Sequence, residues 1–282
     1  MNWDNLKSKY LYYRELTDYK LLPNSYVMVM LDGRSFSKKI KKKFHRPFDD
    51  EFITMMNETA KYVCEKVSGC KLAYVQSDEI NLVLYDTQDQ EPFFGNRLCK
   101  MQSIIASLAT SKFNQLMYAR NLIEKSLGTT EYTRYPQWSE VAGYIAESPL
   151  YEFDCKVWNV PNVNEAFAAI LYRQNDCVRN SKEQAAQTYF PHSELWKKTT
   201  DTQVKMLREK FGIDWVNEYN DGEKYGRFVK RIPFEYDELD RYGNKTGNVK
   251  QRNKWTIVNA TPLSDSETRK EMMEYLTNGE QN

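Results

Sequence analysis

Two short acidic segments carry the chemistry this sequence offers. Asp32 closes an apolar run, Tyr26-Val27-Met28-Val29-Met30-Leu31, and is followed by Gly33, while Asp78 and Glu79 stand with Ser77 between the strand-like runs Lys71 to Gln76 and Ile80 to Tyr85. Magnesium takes hard oxygen ligands, usually one or two protein carboxylates completed by water and substrate phosphates. A metal pair about 3.5 to 4 Å apart can activate an attacking hydroxyl and stabilise the departing oxygen of a phosphate ester. Two carboxylates brought to one rim therefore suit phosphoryl or nucleotidyl transfer. Gly33, without a side chain, would let phosphates and a metal approach the backbone, with Arg34, Ser35, Phe36 and Ser37 lining the nucleotide. Each segment alone also fits an ordinary polar turn, so their joint placement decides whether they form a site.

That placement depends on the surrounding elements. A helix is expected over roughly Asn5 to Thr17, then a strand buried on both faces at Tyr26–Leu31, bounded by Pro23-Asn24 and Asp32-Gly33. Phe52, Met56, Ala60, Val63 and Val67 recur at helical spacing, with Asp49, Asp50 and Glu51 at the start. The two runs around Ser77-Asp78-Glu79 are close enough to form a hairpin. Leu98, Met101, Ile105 and Leu108 mark a second long helix to about Tyr118, and Phe153, Cys155 and Val157 a further strand. The order β-α-β-β-α-β is that of a split βαβ sheet, in which the hairpin tip would lie beside Asp32.

Composition narrows the classes. The 282 residues carry 40 Lys+Arg against 39 Asp+Glu, so any nucleic-acid site must be a local patch. No apolar run approaches the roughly 20 residues of a spanning helix, and the first residues lack the basic-then-apolar order of a secretory signal; a cytoplasmic protein with no membrane contact is the expectation. Five scattered cysteines, none spaced as Cys-x-x-Cys, argue against a disulfide scaffold or a thiolate zinc site, and two histidines leave little for a His-based triad. Trp138, Trp158, Trp196 and Trp215 are read as packing residues.

Several segments occur in a telling order: Met30-Leu31-Asp32-Gly33-Arg34-Ser35-Phe36, Arg46-Pro47-Phe48-Asp49, Tyr74-Val75-Gln76-Ser77-Asp78-Glu79, Arg97-Leu98-Cys99-Lys100, Phe153-Asp154-Cys155-Lys156-Val157, and Tyr172 through Asn180. Together they resemble the tRNA(His) guanylyltransferase family of reverse, 3′-to-5′ polymerases. The stretch from Phe211-Gly212-Ile213-Asp214-Trp215 through Arg252-Asn253-Lys254-Trp255 further resembles the bacterial and archaeal guanylyltransferase-like branch, which repairs tRNAs lacking 5′-terminal nucleotides.

The resemblance implies an α+β fold, a palm-like, ferredoxin-like antiparallel sheet with flanking helices and a C-terminal helical and β-hairpin extension. Residues 1–160 would be the catalytic region and 161–282 the part for RNA binding and oligomer contacts. It also implies two Mg²⁺ ions, ATP and GTP or other nucleoside triphosphates as substrates, tRNA as partner, and a homotetramer. Carried over by position, Asp32 and Asp78 would bind metal with the carbonyl of Gly33, and Glu79 would be a neighbouring catalytic acid. Gly33, Arg34, Ser35, Phe36, Ser37 and Ser77 would surround the nucleotide, and Arg46, Asp49, Arg97 and Lys100 would meet its phosphates. Lys41, Lys42 and Lys43, with Arg173 and Asn180, are the expected tRNA contacts.

A 5′-monophosphorylated tRNA would be activated with ATP, and the 3′-hydroxyl of an incoming nucleoside triphosphate would then displace AMP. Many relatives have Arg where this chain has Met30 and His where it has Ser37. The segment Val178-Arg179-Asn180-Ser181 replaces a sequence that eukaryotic relatives use for tRNA(His), which favours templated repair of several tRNAs. A second basic and aromatic surface is possible over Lys224 to Lys254, as is a plain hairpin. Two other readings stay open: a palm-type nucleotide cyclase or forward polymerase using the same acids, and a non-catalytic RNA-binding module, which would need aromatic residues exposed on the sheet.

Overall fold

The computed structural model describes residues 3–40, 43–85, 91–127 and 148–278. In chain order, α1 (Trp3–Glu15) leads to β1 (Tyr26–Gly33), the short α2 (Phe36–Ile40), α3 (Asp50–Lys66), β2 (Cys70–Gln76) and β3 (Glu79–Leu84). Then come α4 (Leu98–Leu127), β4 (Phe153–Val160), α5 (Val163–Tyr189), α6 (His192–Leu195), α7 (Thr200–Phe211), α8 (Trp215–Glu218) and α9 (Asp221–Tyr225). The ribbon β5 (Arg227–Leu239) and β6 (Lys245–Asn259) and the helix α10 (Ser266–Asn278) complete the described chain. Trp138 lies outside the described residues, as do Lys41 and Lys42.

The strands form one antiparallel sheet in the order β4-β1-β3-β2-β5-β6. Its first four strands have the expected split βαβ arrangement. The hairpin extension is continuous with them, because Leu72–Val75 of β2 pairs with Arg227–Lys230 of β5. Beyond Lys230 the ribbon leaves its β2 partner while β5 and β6 stay paired out to Leu239 and Lys245.

Alternation along the strands sends successive side chains to opposite faces. Val27, Val29 and Leu31 join Val75, Ile80 and Leu82 against α3 and α4, in a core that includes Met56, Val63, Ile105 and Phe113. Tyr26 and Met28 join Leu72, Tyr74 and Val83 against α5 and α10, through Phe167, Ile170, Met272 and Leu276. Helices thus cover both faces of the first four strands, which accounts for the continuous apolar run in β1. α3 begins where its acids foretell: Asp49 is its N-cap and accepts from the amide of Phe52 at 2.9 Å.

The tryptophans divide. Trp215 is buried and donates to Ser181 Oγ at 3.0 Å, whereas Trp158 and Trp196 are exposed at 37% and 63%, contrary to a packing role for all of them. Trp196 lies beyond the end of α6, its ring tilted 50° to that of His192 with centroids 5.4 Å apart. Trp158 shares β4 with the exposed Asp154 and Lys156 on an edge strand.

Candidate active site

Asp32 is the penultimate residue of β1, and the sheet places an acid on each side of it. Glu79 is its partner on β3 and Asp154 its partner on β4. Directly paired residues share a sheet face with Cβ atoms about 4.5 to 5.5 Å apart, so three carboxylates stand in a row across the sheet end. The fourth acid, Asp78, lies with Ser77 in the two-residue turn between Gln76 and Glu79, which are paired to each other. Ser77 adopts φ +44°, a left-handed conformation that tight hairpin turns demand and non-glycine residues seldom take. The amide of Gly33 donates to the carbonyl of Asp78 at 3.1 Å, fastening the turn to the end of β1.

This crowding shows in the proton affinities. Burial pushes the Asp78 carboxyl up to about 6, with the charges of Asp32 and Glu79 adding to it. Burial also raises Asp32, helped by Asp154 and Glu79 and opposed by Lys156 and Arg173. Glu79 has its own counterion. Arg173 on α5 donates from Nε to Oε1 at 2.7 Å and from Nη2 to Oε2 at 2.5 Å, and it also pairs with Asp176 at 2.8 Å. Asn81 donates to the same Oε1 at 2.6 Å. Arg173, expected to meet tRNA, is thus engaged inside the chain.

A cleft of about 310 Å³ opens beside the turn. Ser37, Arg46, Asp49, Ser77, Asp78 and Asn180 all line it, so residues from α2, the loop before α3, the hairpin turn and α5 converge. Arg34 and Ser35 are exposed where β1 passes into α2, with Arg34 N donating to Glu152 O at 2.9 Å. Asp49 spends its carboxylate on the backbone, accepting from Phe52 N at 2.9 Å and His45 N at 2.8 Å, so it shapes the cleft wall. Lys43 lies with its ammonium 5.9 Å from the Tyr151 ring.

Phe36 differs from the expectation. Its side chain is 1% exposed, packed on Phe113, Tyr151 and Phe153 with ring centroids 5.0 to 5.3 Å away, so what it can offer a nucleotide is backbone alone. It also gives Gly33 a second reason: a Cβ there would stand 2.6 Å from the Phe36 ring.

Arg97 and Lys100 lie elsewhere in the chain. Arg97 pairs with Asp18 at 2.8 Å, Lys20 bridges to Arg97, and Leu98 N donates to Tyr19 O at 2.8 Å. Nearby, Leu22 N donates to Asn159, which stands opposite Val27. Arg97 is therefore at the start of β1, roughly 20 Å along the strand from Asp32. Lys100 faces the Phe94 ring at 4.6 Å.

Residues that sequence reading left without a role also belong here. Asp154 and Lys156 flank Asp32 and Met30 across the β1–β4 pairing. Alternation in Phe153-Asp154-Cys155-Lys156 hints that they share a face, but only the register brings them to the acids. Arg227 and Lys224, in the segment open to either a basic surface or a plain hairpin, are buried at 5% and 7%; Lys224 donates to Val216 O at 2.9 Å.

A family model described as tRNAHis guanylyltransferase matches residues 8–161, which span β1 through β4 and all four acids. The chain belongs to the tRNAHis guanylyltransferase family. Members of this family are nucleotidyltransferases, and so is this chain. The tRNA(His) guanylyltransferase of Neurospora crassa is 28% identical over 225 residues, covering 76% of this chain and 69% of that protein. An uncharacterized protein, R259, of Acanthamoeba polyphaga mimivirus is 26% identical over 232 residues, covering 79% and 75%. Among solved structures, a bacterial tRNA(HIS) guanylyltransferase-like protein in complex with ATP superposes with TM-score 0.74 at 24% identity, over 96% of this chain and 98% of the other. A bacterial protein of the same description in complex with GTP gives TM-score 0.70 at 22% identity, over 96% and 99%. The family fold therefore extends through the β5–β6 ribbon and α10.

Proposed function

We propose that this chain adds nucleotides to the 5′ end of tRNA in the 3′-to-5′ direction, as templated repair, with Asp32 and Asp78 as the acids that hold Mg²⁺. The observation that carries the reading is that the Gly33 amide ties the end of β1, which carries Asp32, to Asp78, which lines the cleft. Family membership supports 5′-end addition, and the relatives named for ATP and GTP complexes support nucleoside triphosphates as substrates.

The donor set fits magnesium. Among the described residues no three or more His, Cys, Asp or Glu are grouped so as to hold a metal ion between them, so any ion would rest on two carboxylates with water and phosphate. A pair of carboxylates with open positions for water and phosphate is how Mg²⁺ is usually held. Glu79 is paired with Arg173, whereas among the described residues Asp32, Asp78 and Asp154 form no ion pair, Asp32 feeling Lys156 and Arg173 only at longer range. Two bound ions, with the Gly33 carbonyl as a further ligand, would supply activation of the attacking hydroxyl and stabilisation of the leaving oxygen.

The protein groups do the rest by position and charge. Arg46 lines the cleft with Asp78, and Lys156, whose charge reaches Asp32, stands across from Met30, where many relatives carry Arg; these cations and Arg34, which follows Gly33, would meet phosphates. Ser37 and Ser77 offer hydroxyls to the cleft, and Ser35 lies exposed beside them in sequence. The 3′-hydroxyl of the incoming nucleotide forms a bond to the 5′-phosphorus of the RNA, and AMP leaves an adenylylated end or pyrophosphate leaves a 5′-triphosphate. Glu79, held by Arg173, stands beside Asp32 in the sheet, and Asn180, which lines the cleft, would meet the RNA end. The basic ribbon, with Arg252 over Tyr236 at 4.7 Å and Arg241 over Tyr242 at 4.6 Å, tracks RNA phosphates. Arg97 and Lys100, remote from the acids of their own chain, would serve a site only in a homotetramer that brings them to a neighbour's cleft.

The test is extension of tRNAs lacking one, two or three 5′ nucleotides, each with a 5′-monophosphate or a 5′-triphosphate. Templated addition to both end types, with ATP needed only for the monophosphate, is the expected result. Addition of a single G irrespective of template would remove the repair reading, and cyclisation of ATP or GTP without extension would replace it with the cyclase.

A further inference from the structure

Arg227 opens β5 on the sheet face that carries α3, and only 5% of it reaches solvent. Its Nε donates to Asn57 Oδ1 at 3.0 Å and its Nη1 to the carbonyl of Gly222 at 2.9 Å. Nη2 is buried with no hydrogen-bond partner. Both groups that Arg227 does meet are neutral, and among the described residues no carboxylate forms an ion pair with it. Glu223, whose charge reaches it, is committed elsewhere: its Oε2 accepts from the Asn220 amide at 2.8 Å in the capping box of α9.

A guanidinium keeps its charge in any protein environment, and a buried charge without a counterion is among the costliest arrangements a fold can hold. This one lies in the wall of the cleft that Asp78 also lines, among the hydrogen-bonding side chains of Asn180, Ser181 and Gln184. Nε and Nη1 are anchored, so Nη2 is what remains to meet an occupant. Arg presents its donors in a planar fork suited to phosphate oxygens.

We propose that Arg227 forms an anion subsite in the inner wall of the cleft, completed when a phosphate group of the substrate reaches its Nη2. The subsite rests on the proposed function only for the source of that phosphate, which is either the incoming nucleoside triphosphate or the 5′ end of the RNA. Nη2 is closed to solvent, so neighbouring cleft side chains move aside as the phosphate enters.

Asn57→Asp tests this without removing the arginine, because it places a carboxylate beside Nε and supplies the missing counterion internally. Binding is measured by calorimetry on the full chain in EDTA, so that metal at the acid pair plays no part. The ligand pairs are GTP against guanosine, and 5′-phosphorylated against 5′-hydroxyl acceptor-stem RNA. The wild type should prefer the phosphorylated member of at least one pair, and Asn57→Asp should reduce that preference tenfold or more with a melting temperature no lower than wild type. Whichever pair loses its preference identifies the source. Arg227→Lys should fall between the two proteins. Independently of any variant, the Arg227 side-chain ¹⁵N resonance of the wild type should shift when inorganic tripolyphosphate or the phosphorylated RNA is added. A folded Asn57→Asp protein that keeps its preference within twofold, or an Arg227 resonance that neither ligand moves, would overturn the subsite and leave Nη2 to a buried water. Neither result depends on extension activity, so failure here is distinct from failure of the repair assay.

Discussion

The Gly33 amide donates to the Asp78 carbonyl at 3.1 Å, so the end of β1 and the tip of the β2–β3 turn are held by backbone and not by the acids themselves. The link between the two elements therefore does not depend on either carboxylate, so either acid can be changed while this backbone bond stays in place.

Gly33→Ala should destabilise the chain by roughly 1 to 3 kcal/mol, the usual cost of overpacking, because its Cβ would meet the Phe36 ring at 2.6 Å. Urea denaturation gives the value. Adding Phe36→Leu should recover part of the loss; if the double variant is no better than the sum of the singles, the clash is not the cause.

The Arg173–Glu79 pair is largely buried, with side chains 18% and 8% exposed. Arg173→Ala leaves a buried carboxylate unpaired beside Asp32, for which a loss of about 3 to 5 kcal/mol is usual. Glu79→Gln in the same chain removes the stranded charge and should restore more than half of it. A double variant as unstable as Arg173→Ala would show that the arginine acts through packing.

For Asp78 the sign of the pH dependence follows from its raised carboxyl. The folded chain holds this proton up to about pH 6, whereas the unfolded chain releases it near 3.8. Folded protein binds more protons in that window, so Asp78 destabilises the metal-free chain progressively as pH rises from about 4 to 6. Asp78→Asn should therefore be more stable than wild type at pH 7 in EDTA, by at most about 3 kcal/mol, and the gain should vanish below pH 4. A melting-temperature series against pH checks it; an equal gain at every pH would point to another cause.

On the ribbon, Arg252→Gln with Lys254→Gln should weaken binding to all tRNAs alike. The slope of log affinity against log salt should fall by roughly one for each RNA phosphate that is no longer neutralised. An unchanged slope would remove the ribbon from the RNA surface.

What the sequence showed and what it hid divide along physical lines. The apolar run of β1, the period of Phe52 to Val67 and the acids at the start of α3 are local patterns, and they give β1 and α3 with boundaries close to those observed, whereas α4, expected to end near Tyr118, runs on to Leu127. The continuation of the sheet into β5 depends on pairing between residues some 155 positions apart, from Leu72↔Lys230 to Val75↔Arg227, and no local pattern announces it. The same holds within the site. Asp32 and Asp78 are legible because one stands near the end of a strand and the other in the turn of a hairpin, but Asp154 and Lys156 join them only through the β1–β4 register. Arg227 and Lys224 fall in a segment open to either a basic surface or a plain hairpin, because a basic residue beside aromatics looks the same whether it faces water or a cleft. Phe36 looked like part of a nucleotide loop, since its burial is set by Phe113, Tyr151 and Phe153 from distant elements.

The most direct measurement is single-turnover extension of a 5′-triphosphorylated tRNA lacking its first nucleotide, a substrate that needs no ATP activation, by wild type, Asp32→Asn and Asp78→Asn, with melting temperatures taken alongside. Both variants should remain folded and lose at least about a thousandfold in rate, the scale of an electrostatic group acting on a charged transition state. A folded variant of either acid extending within tenfold of wild type would contradict the assignment of this pair to the reaction.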